Sequence, residues 1–345
     1  MVSPKLSYRK APNWRLQSTA GLFGWKSFFV ACVALSVTAL VVYRGRLAQK
    51  DKVVTTLFIA IGSKPSNFHL RDSARRSWLQ WASLGQTAYK FFSDHPQYAD
   101  DSDKQHAEKL LFEAKAEKDM VLMNIEGGYG TKEDNNFLDR ALYQFEYASK
   151  NYDFDYFLRV DDDSFLCLHR LMFELKSYPS RQFFMGRFWC KPGRHRADEN
   201  FMLFSSDLAE FIVGRTSLVP MDPSVTFAWN FGLLAYTLNL TIFDDQERID
   251  AQQGYLTDYM HANSSSRADS DGYKEFCEKY IYAHHVRHGD IMKKVYSSTQ
   301  IHLLYDAPEM RSHRESCKAT EQSFIPARHS RTLPDIIVGT NNAAV

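Results

Sequence analysis

From Val53 to Phe188 the sequence switches repeatedly between a strand period and a helix period, and this alternation restricts the fold more than any other feature. Val53–Ile61 (VVTTLFIAI) is apolar and β-branched, as suits a strand buried on both faces. Helical spacing follows over Arg71–Leu84, and Tyr89–Phe92 reads as a short strand. Lys104–Lys118 is helical, with Leu110, Leu111 and Ala114 on one side, and Met120–Ile125 is again a strand. Thr131-Lys132-Glu133-Asp134 resembles a capping box. The helix behind it sets Phe137, Leu138, Ala141, Leu142, Phe145 and Ala148 on one face. Tyr156–Val160 then forms a strand that runs into Asp161-Asp162-Asp163, followed by a helix over Phe165–Ser177 and a strand over Gln182–Phe188. This order predicts an α/β fold, a central sheet with helices on both faces. Ligands in such sheets bind beyond the carboxyl ends of the strands, and the acidic triplet sits at one. The stretch from about 190 to 285 is less regular, and no internal repeat is present.

Phe28–Tyr43 carries no charge, no Gly and no Pro. With Ser27 and the flanking Trp25 it reaches the lower limit of the ~17–25 residues that span a bilayer. A short span suits the thin membranes of the early secretory pathway. Lys5, Arg9, Lys10, Arg15 and Lys26 precede it with no acidic residue, which puts the N-terminus in the cytosol and the body in the lumen. Arg44, Arg46, Lys50 and Lys52 on the far side pull against that orientation, and a cleaved signal peptide is the competing reading. The expected organisation is a cytosolic tail over 1–26, a transmembrane signal anchor over 27–43, a short stem over 44–52, a catalytic domain over 53–305 and a polar tail over 306–345.

Composition narrows the class. Lys+Arg 42 against Asp+Glu 41 leaves none of the basic surplus of a nucleic-acid binder. Of the five cysteines, Cys32 falls in the apolar span. Cys167, Cys190, Cys277 and Cys317 allow up to two disulfides in an oxidising compartment, with the pairing open. No C-x-x-C is present, which argues against a cysteine zinc site. Asn239-Leu240-Thr241 and Asn263-Ser264-Ser265 are glycosylation sequons, so Asn239 and Asn263 are candidate acceptors in a lumenal body.

Three adjacent carboxylates at a strand end repel one another, and a cation relieves that repulsion. Residues 161 and 163 project to one side of an extended backbone, so they can share a metal with a diphosphate. Oxygen ligands suit Mg²⁺ or Mn²⁺, and an added imidazole tilts the choice to Mn²⁺.

Phe157-Leu158-Arg159-Val160-Asp161-Asp162-Asp163-Ser164-Phe165 resembles the metal-binding strand of the β-1,3-galactosyltransferase family. Arg71-Asp72-Ser73-Ala74-Arg75-Arg76-Ser77-Trp78 is similar to that family's R-x-x-x-R-x-S/T-W. Asp119 to Arg140 resembles the stretch leading into its acidic helix, with Arg140 where Lys is usual. Gly186-Arg187-Phe188-Trp189 looks like the xylose-directed branch, Ser206-Asp207-Leu208 its S-x-D-L segment, and Tyr282-Ala283-His284-His285 its late histidine segment. The resemblance covers roughly residues 53 to 296. It implies an inverting, GT-A type hexosyltransferase with a Rossmann-like sheet, held in the Golgi membrane and using a UDP-sugar and a glycan or glycoprotein acceptor. By the same resemblance Asp161, Asp163 and His284 hold the metal, with His285 as alternate and His288 nearby. Asp161 and Asp162 face the nucleotide sugar, and Arg71 and Arg75 shape its pocket.

One departure bears on mechanism. An inverting transfer needs a base for the acceptor hydroxyl. The family supplies it from an acidic pair before a Gly-containing helix, which here is Gly232-Leu233-Leu234-Ala235, and the paired position reads Phe227-Ala228. Asp222, between Pro220 and Pro223, is the candidate replacement, with Asp244 and Asp245 behind it. The rival readings are a non-catalytic, chaperone-like family member and a lumenal metal-dependent phosphoesterase.

Overall fold

The structure is a computed structural model that describes residues 51–97, 106–125, 136–191, 194–215, 227, 228, 230–232, 240, 242–250, 273, 275–301, 305 and 312. The apolar span, the capping box at 131–134, Asp222, Asn239 and Asn263 lie outside the described residues. Among the described residues no helix is long and apolar enough to cross a membrane.

The expected alternation is present. The strands are β1 (Val53–Gly62), β2 (Thr87–Asp94), β3 (Met120–Met123), β4 (Tyr152–Asp161), β5 (Phe165–Leu166), β6 (Phe184–Lys191), β7 (Arg194–Ser205), β8 (Ile242–Asp244), β9 (Ile249–Asp250) and β10 (Tyr282–Ala283). The α-helices are α1 (Phe68–Arg75), α2 (Ala107–Glu117), α3 (Phe137–Asn151), α4 (Leu168–Glu174), α5 (Ser206–Arg215), α6 (Phe276–Lys279) and α7 (Gly289–Ser298). A 7-stranded sheet runs β3-β2-β1-β4-β7-β6-β8, and a 3-stranded sheet runs β5-β10-β9. β1, β2, β3 and β4 are mutually parallel where they pair, whereas β7 is antiparallel to both β4 and β6. The result is a mixed α/β sheet covered on both sides.

Alternation along β1 divides the core. Leu57, Ile59 and Ile61 face a cluster that includes Trp78, Phe165, Tyr282 and Val286. Phe58 and Ala60 face the opposite cluster with Phe145, Phe157 and Phe204. The strand order reverses between β1 and β4, whose ends meet where Gly62 pairs with Asp161. That crevice is the topological switch point, where ligands of open α/β sheets bind.

Three expectations need correction. The helix over Arg71–Leu84 breaks after Arg75 and resumes as a 3₁₀ segment at Trp78–Leu84. Ser77 Oγ donates to Ser73 O at 2.6 Å, so a side chain takes up a helical carbonyl at the break. The helix over Phe165–Ser177 begins instead as β5, because Phe165 and Leu166 pair with Ala283 and Tyr282. Finally, only Leu110 of the expected α2 stripe is buried, while Leu111 is exposed. Ser312, the described residue of the tail expected from 306, forms a bridge with Phe243.

Candidate active site

The acidic triplet leaves β4 with its side chains divided. The Asp162 N–H donates to Gly62 O at 3.0 Å, which ties the turn to the end of β1. The buried Asp162 carboxylate accepts from Ser63 Oγ at 2.5 Å and Asn67 Nδ2 at 3.1 Å. Burial pushes this carboxyl up to about 7; the Ser63 hydrogen bond opposes the rise and the Asp163 charge adds to it. Asp161 and Asp163 turn to the other side and converge on His284. Its Nε2 lies 3.1 Å from Asp163 Oδ1 and 3.7 Å from Asp161 Oδ2.

His284 arrives from β10, which reaches the triplet because β5 and β10 pair directly behind it. Asp163 O accepts from the Val286 N–H at 2.7 Å, and Tyr282 Oη lies 2.6 Å from Ser164 Oγ. His285 has φ 61°. For a non-glycine residue this left-handed conformation costs on the order of 1–3 kcal/mol. It leaves both imidazoles beside Asp163, with His285 Nδ1 3.4 Å from Asp163 Oδ2 and the two rings 3.8 Å apart. A disulfide between Cys167 and Cys277 joins the segment after Asp163 to the segment before His284.

The charges in this pocket oppose one another. Burial raises Asp161, the Arg159 and His284 charges counter it, and Asp163 and Glu199 add to it; the net shift is upward. Burial also pushes Asp163 up, but His284 and His285 outweigh it and hold this carboxylate below its usual range. His284 behaves conversely. Burial lowers it, and the hydrogen bond and charge of Asp163 together with the charge of Asp161 leave it raised. Asp163, His284 and His285 offer ligand atoms that all lie within 4.8 Å of one another. One carboxylate and two imidazoles at that separation, with Asp161 adjacent, fit a divalent cation that accepts both oxygen and nitrogen.

The two arginines expected at the nucleotide pocket are already engaged by protein groups. Arg71 is fully buried and donates to Ser63 Oγ, Lys64 O, Pro65 O and both oxygens of Glu113. It therefore shapes the loop between β1 and α1, the same loop that supplies Ser63 and Asn67 to Asp162. Arg75 forks onto Asp119 at 2.7 and 2.8 Å, reaches Glu113 at 2.7 Å, and lies over the Phe91 ring. Its guanidinium is raised: burial alone would lower it, and the two carboxylates more than compensate. His288 is exposed ahead of α7 and belongs to no metal cluster among the described residues. Asp244 is buried at the end of β8 and accepts from the Phe188 N–H, while Asp245 is gripped by Arg248. Both carboxylates brace the far strands.

Several contributors carry no signal in periodicity or motif. Asn200 of β7 places Nδ2 2.9 Å from His284 Nδ1, which orients the ring so that Nε2 faces the aspartates. Asn200 O in turn accepts from Tyr282 Oη at 2.5 Å. Arg159, two residues before Asp161, donates to Glu199 O and lies 3.6 Å from Asp161. Ser63 and Asn67 are the two that a rule could have found, since they directly follow the strand that borders the switch point.

No match is found among curated proteins. Among solved structures, the galactosyltransferase LgtC in complex with donor and acceptor sugar analogs aligns at 8% identity. It covers 71% of this chain and 96% of that one, with a TM-score of 0.35. An active-site mutant of LgtC aligns at 8% identity over 71% and 98%, with a TM-score of 0.36. Likenesses of that size carry no argument. The family model does: the description "Galactosyltransferase" matches residues 70–214, a stretch that runs from α1 through the acidic triplet to the end of α5. The resemblance read from the motifs thus finds support, and over this stretch the chain is similar to the galactosyltransferase family.

Proposed function

We propose that this chain is an inverting, metal-dependent GT-A enzyme that transfers galactose from UDP-galactose, in β-1,3 linkage, to a glycan or glycoprotein acceptor. One observation carries the reading: Asp161, Asp163 and His284 converge at the β1/β4 switch point of a galactosyltransferase-family sheet. Asp161, Asp163 and His284 are the proposed ligands of Mn²⁺ or Mg²⁺, with His285 close enough to join them. A bound divalent cation supplies positive charge against the departing diphosphate. Arg71, Ser63 and Asn67 hold the β1–α1 loop against Asp162 and so set the floor on which the nucleotide lies. Asn200 fixes the imidazole orientation of His284.

The body is proposed to be lumenal in the Golgi, anchored by residues 27–43, with the organisation 1–26, 27–43, 44–52, 53–305 and 306–345. The Cys167–Cys277 disulfide suits an oxidising compartment. Protease treatment of sealed microsomes should then remove the leader alone, and digestion of the body would refute the topology. A non-catalytic role is the second reading, favoured by Phe227. That side chain is 1% exposed and packs with Phe145 and Phe231, so no acid occupies its place.

One experiment tests the reading: a panel of UDP-sugars with Mn²⁺, followed by chelation. UDP-galactose should be turned over preferentially, and chelation should abolish it. Metal-dependent UDP binding with no turnover of any sugar would favour the non-catalytic reading. Absence of metal-dependent UDP binding would remove both.

A further inference from the structure

β7 does not pair regularly as it passes the site. Gly186 of β6 faces Met202 and Phe188 faces Ala197, so positions 186 to 188 on one strand stand against 197 to 202 on the other. The surplus is a bulge made of Asp198, Glu199, Asn200 and Phe201. Bulges release side chains from strict alternation and re-aim them. Gly186 makes room for this one, since a Cβ there would stand 3.0 Å from Phe201 O. The bulge is pinned at both ends to the metal-candidate cluster. Asn200 contacts His284 and Tyr282, and Glu199 O accepts from Arg159, which neighbours Asp161.

The Glu199 side chain leaves the strand and accepts the Ala228 N–H at Oε1, 3.0 Å away. It is half-buried, whereas Ala228 beneath it is fully buried. A carboxylate therefore stands in space over residues 227–228, where the chain itself carries only Phe and Ala. Among the described residues the Ala228 N–H anchors one of its oxygens, and the carboxylate lies near enough for its charge to act on Asp161.

We propose that Glu199 is the proton acceptor of the transfer reaction, delivered across the site by the β7 bulge. This rests on the galactosyl-transfer reading above. The acceptor hydroxyl gives its proton to the Glu199 carboxylate while its oxygen forms the new bond to the anomeric carbon of galactose. The bond from that carbon to the β-phosphate oxygen breaks, and its electron pair leaves with UDP. The products are the glycoside, UDP and a protonated Glu199, which returns its proton to water. Asp222, the sequence-based candidate for this step, is then dispensable.

The test uses the full-length chain with Mn²⁺, UDP-galactose, and p-nitrophenyl β-D-xyloside, p-nitrophenyl β-D-galactoside or water as acceptor. UDP affinity is measured separately by calorimetry. Glu199→Gln keeps the acceptor for the Ala228 N–H and removes the base. Its kcat should fall by roughly 10²–10⁴-fold, the usual cost of a lost general base. UDP affinity should stay within about twofold, because the lost interaction belongs to the transition state. Glu199→Asp should transfer measurably faster than Glu199→Gln. If Glu199→Gln also loses UDP binding, Glu199→Asp decides: should Glu199→Asp bind UDP without transferring, the proposal is overturned. Near-normal turnover in Glu199→Gln overturns it, as does a collapse of turnover in Asp222→Asn alone. An unmodified protein that binds UDP with Mn²⁺ but transfers to none of the three acceptors removes the Glu199 assignment and leaves the donor site standing. Failure to bind UDP at all removes both.

Discussion

Replacing both Cys167 and Cys277 by Ala tests whether the two arms of the site are held together covalently. The bridge closes a loop with a sequence separation of 110, and both residues are buried. With n set to 110, the chain-entropy relation gives a loss of about 16 cal/mol/K, or about 5 kcal/mol at 25 °C. For a domain of this size each kcal/mol moves the melting temperature by about 2–4 °C, so the variant should melt at least about 10 °C lower. The bridge also sits where the site is assembled: the Cys167 N–H donates to Ile281 O at 2.9 Å, and Tyr282–Ala283 pairs with Phe165–Leu166 immediately beyond. Loosening it frees the strand that carries His284. Mn²⁺-dependent UDP affinity should therefore fall about tenfold, in the range typical when the support behind a metal ligand is removed. Thermal melts and calorimetry on the purified protein, with and without Mn²⁺, measure both effects. A melting temperature within about 2 °C of the parent would contradict the entropy argument. Peptide mapping that links Cys167 to Cys190 or Cys317 would contradict the pairing itself.

Asp163→Ala removes the carboxylate that faces both imidazoles, so UDP binding should lose its dependence on Mn²⁺ while the melting temperature changes little; retained metal dependence, measured by calorimetry, would show the triplet to be structural only. His284→Ala should act in the same direction but less strongly. Glu113 is pushed up by burial but held below its usual range by Arg71 and Arg75. A depressed carboxyl stabilises the fold above its unfolded pKa and loses that contribution as pH falls through the folded value. Glu113→Gln should therefore cost roughly 3–5 kcal/mol at pH 7, as when one partner of a buried pair is removed, and urea melts should show the gap to the parent closing below about pH 4.5. Gly289→Ala would put a Cβ 1.9 Å from Ser73 Oγ and 2.7 Å from Ser73 Cβ, where α7 meets α1. Overpacking of that kind costs about 1–3 kcal/mol, and the loss should be largely restored in Gly289→Ala/Ser73→Gly; a single variant as stable as the parent would show that the helices shift freely.

What could be read from the sequence depended on how locally each feature is encoded. β1 from Leu57 to Ile61 and β4 from Tyr156 to Leu158 are apolar runs because both faces of the central strands are buried there, and such runs are visible without knowledge of their partners. The triplet stood out for a related reason: three carboxylates after an apolar strand need a partner, whatever the rest of the fold does. Elements that exist only through pairing left no trace. β5, β9 and β10 are two residues each, too short to show any period, and they form because residues distant in sequence meet. The β7 bulge is equally silent, since its cause is the spacing of β6 against β7 and not the composition of either.

The arginines show how far such reasoning reaches at the level of single side chains. In isolation, Arg71 and Arg75 at helical spacing are cations awaiting an anion, and phosphate is a reasonable choice. In the fold, Glu113 lies 42 positions from Arg71 and Asp119 lies 44 from Arg75, and these carboxylates take the guanidinium forks. Periodicity cannot pair residues at such distances. The same holds for the site as a whole: Ser63 meets Asp162 across 99 positions, Asn200 meets His284 across 84, and Ser164 meets Tyr282 across 118. Ligand identities can be carried by short motifs, because each motif is one strand end or one turn. The groups that orient those ligands come from other elements and are chosen by register. A carboxylate missing from one segment can for that reason be supplied by another, and Glu199 stands over Ala228 in that relation. Substitution at Glu199 should thus separate transfer from UDP binding, whereas substitution at Asn200 should weaken Mn²⁺-dependent UDP binding through His284.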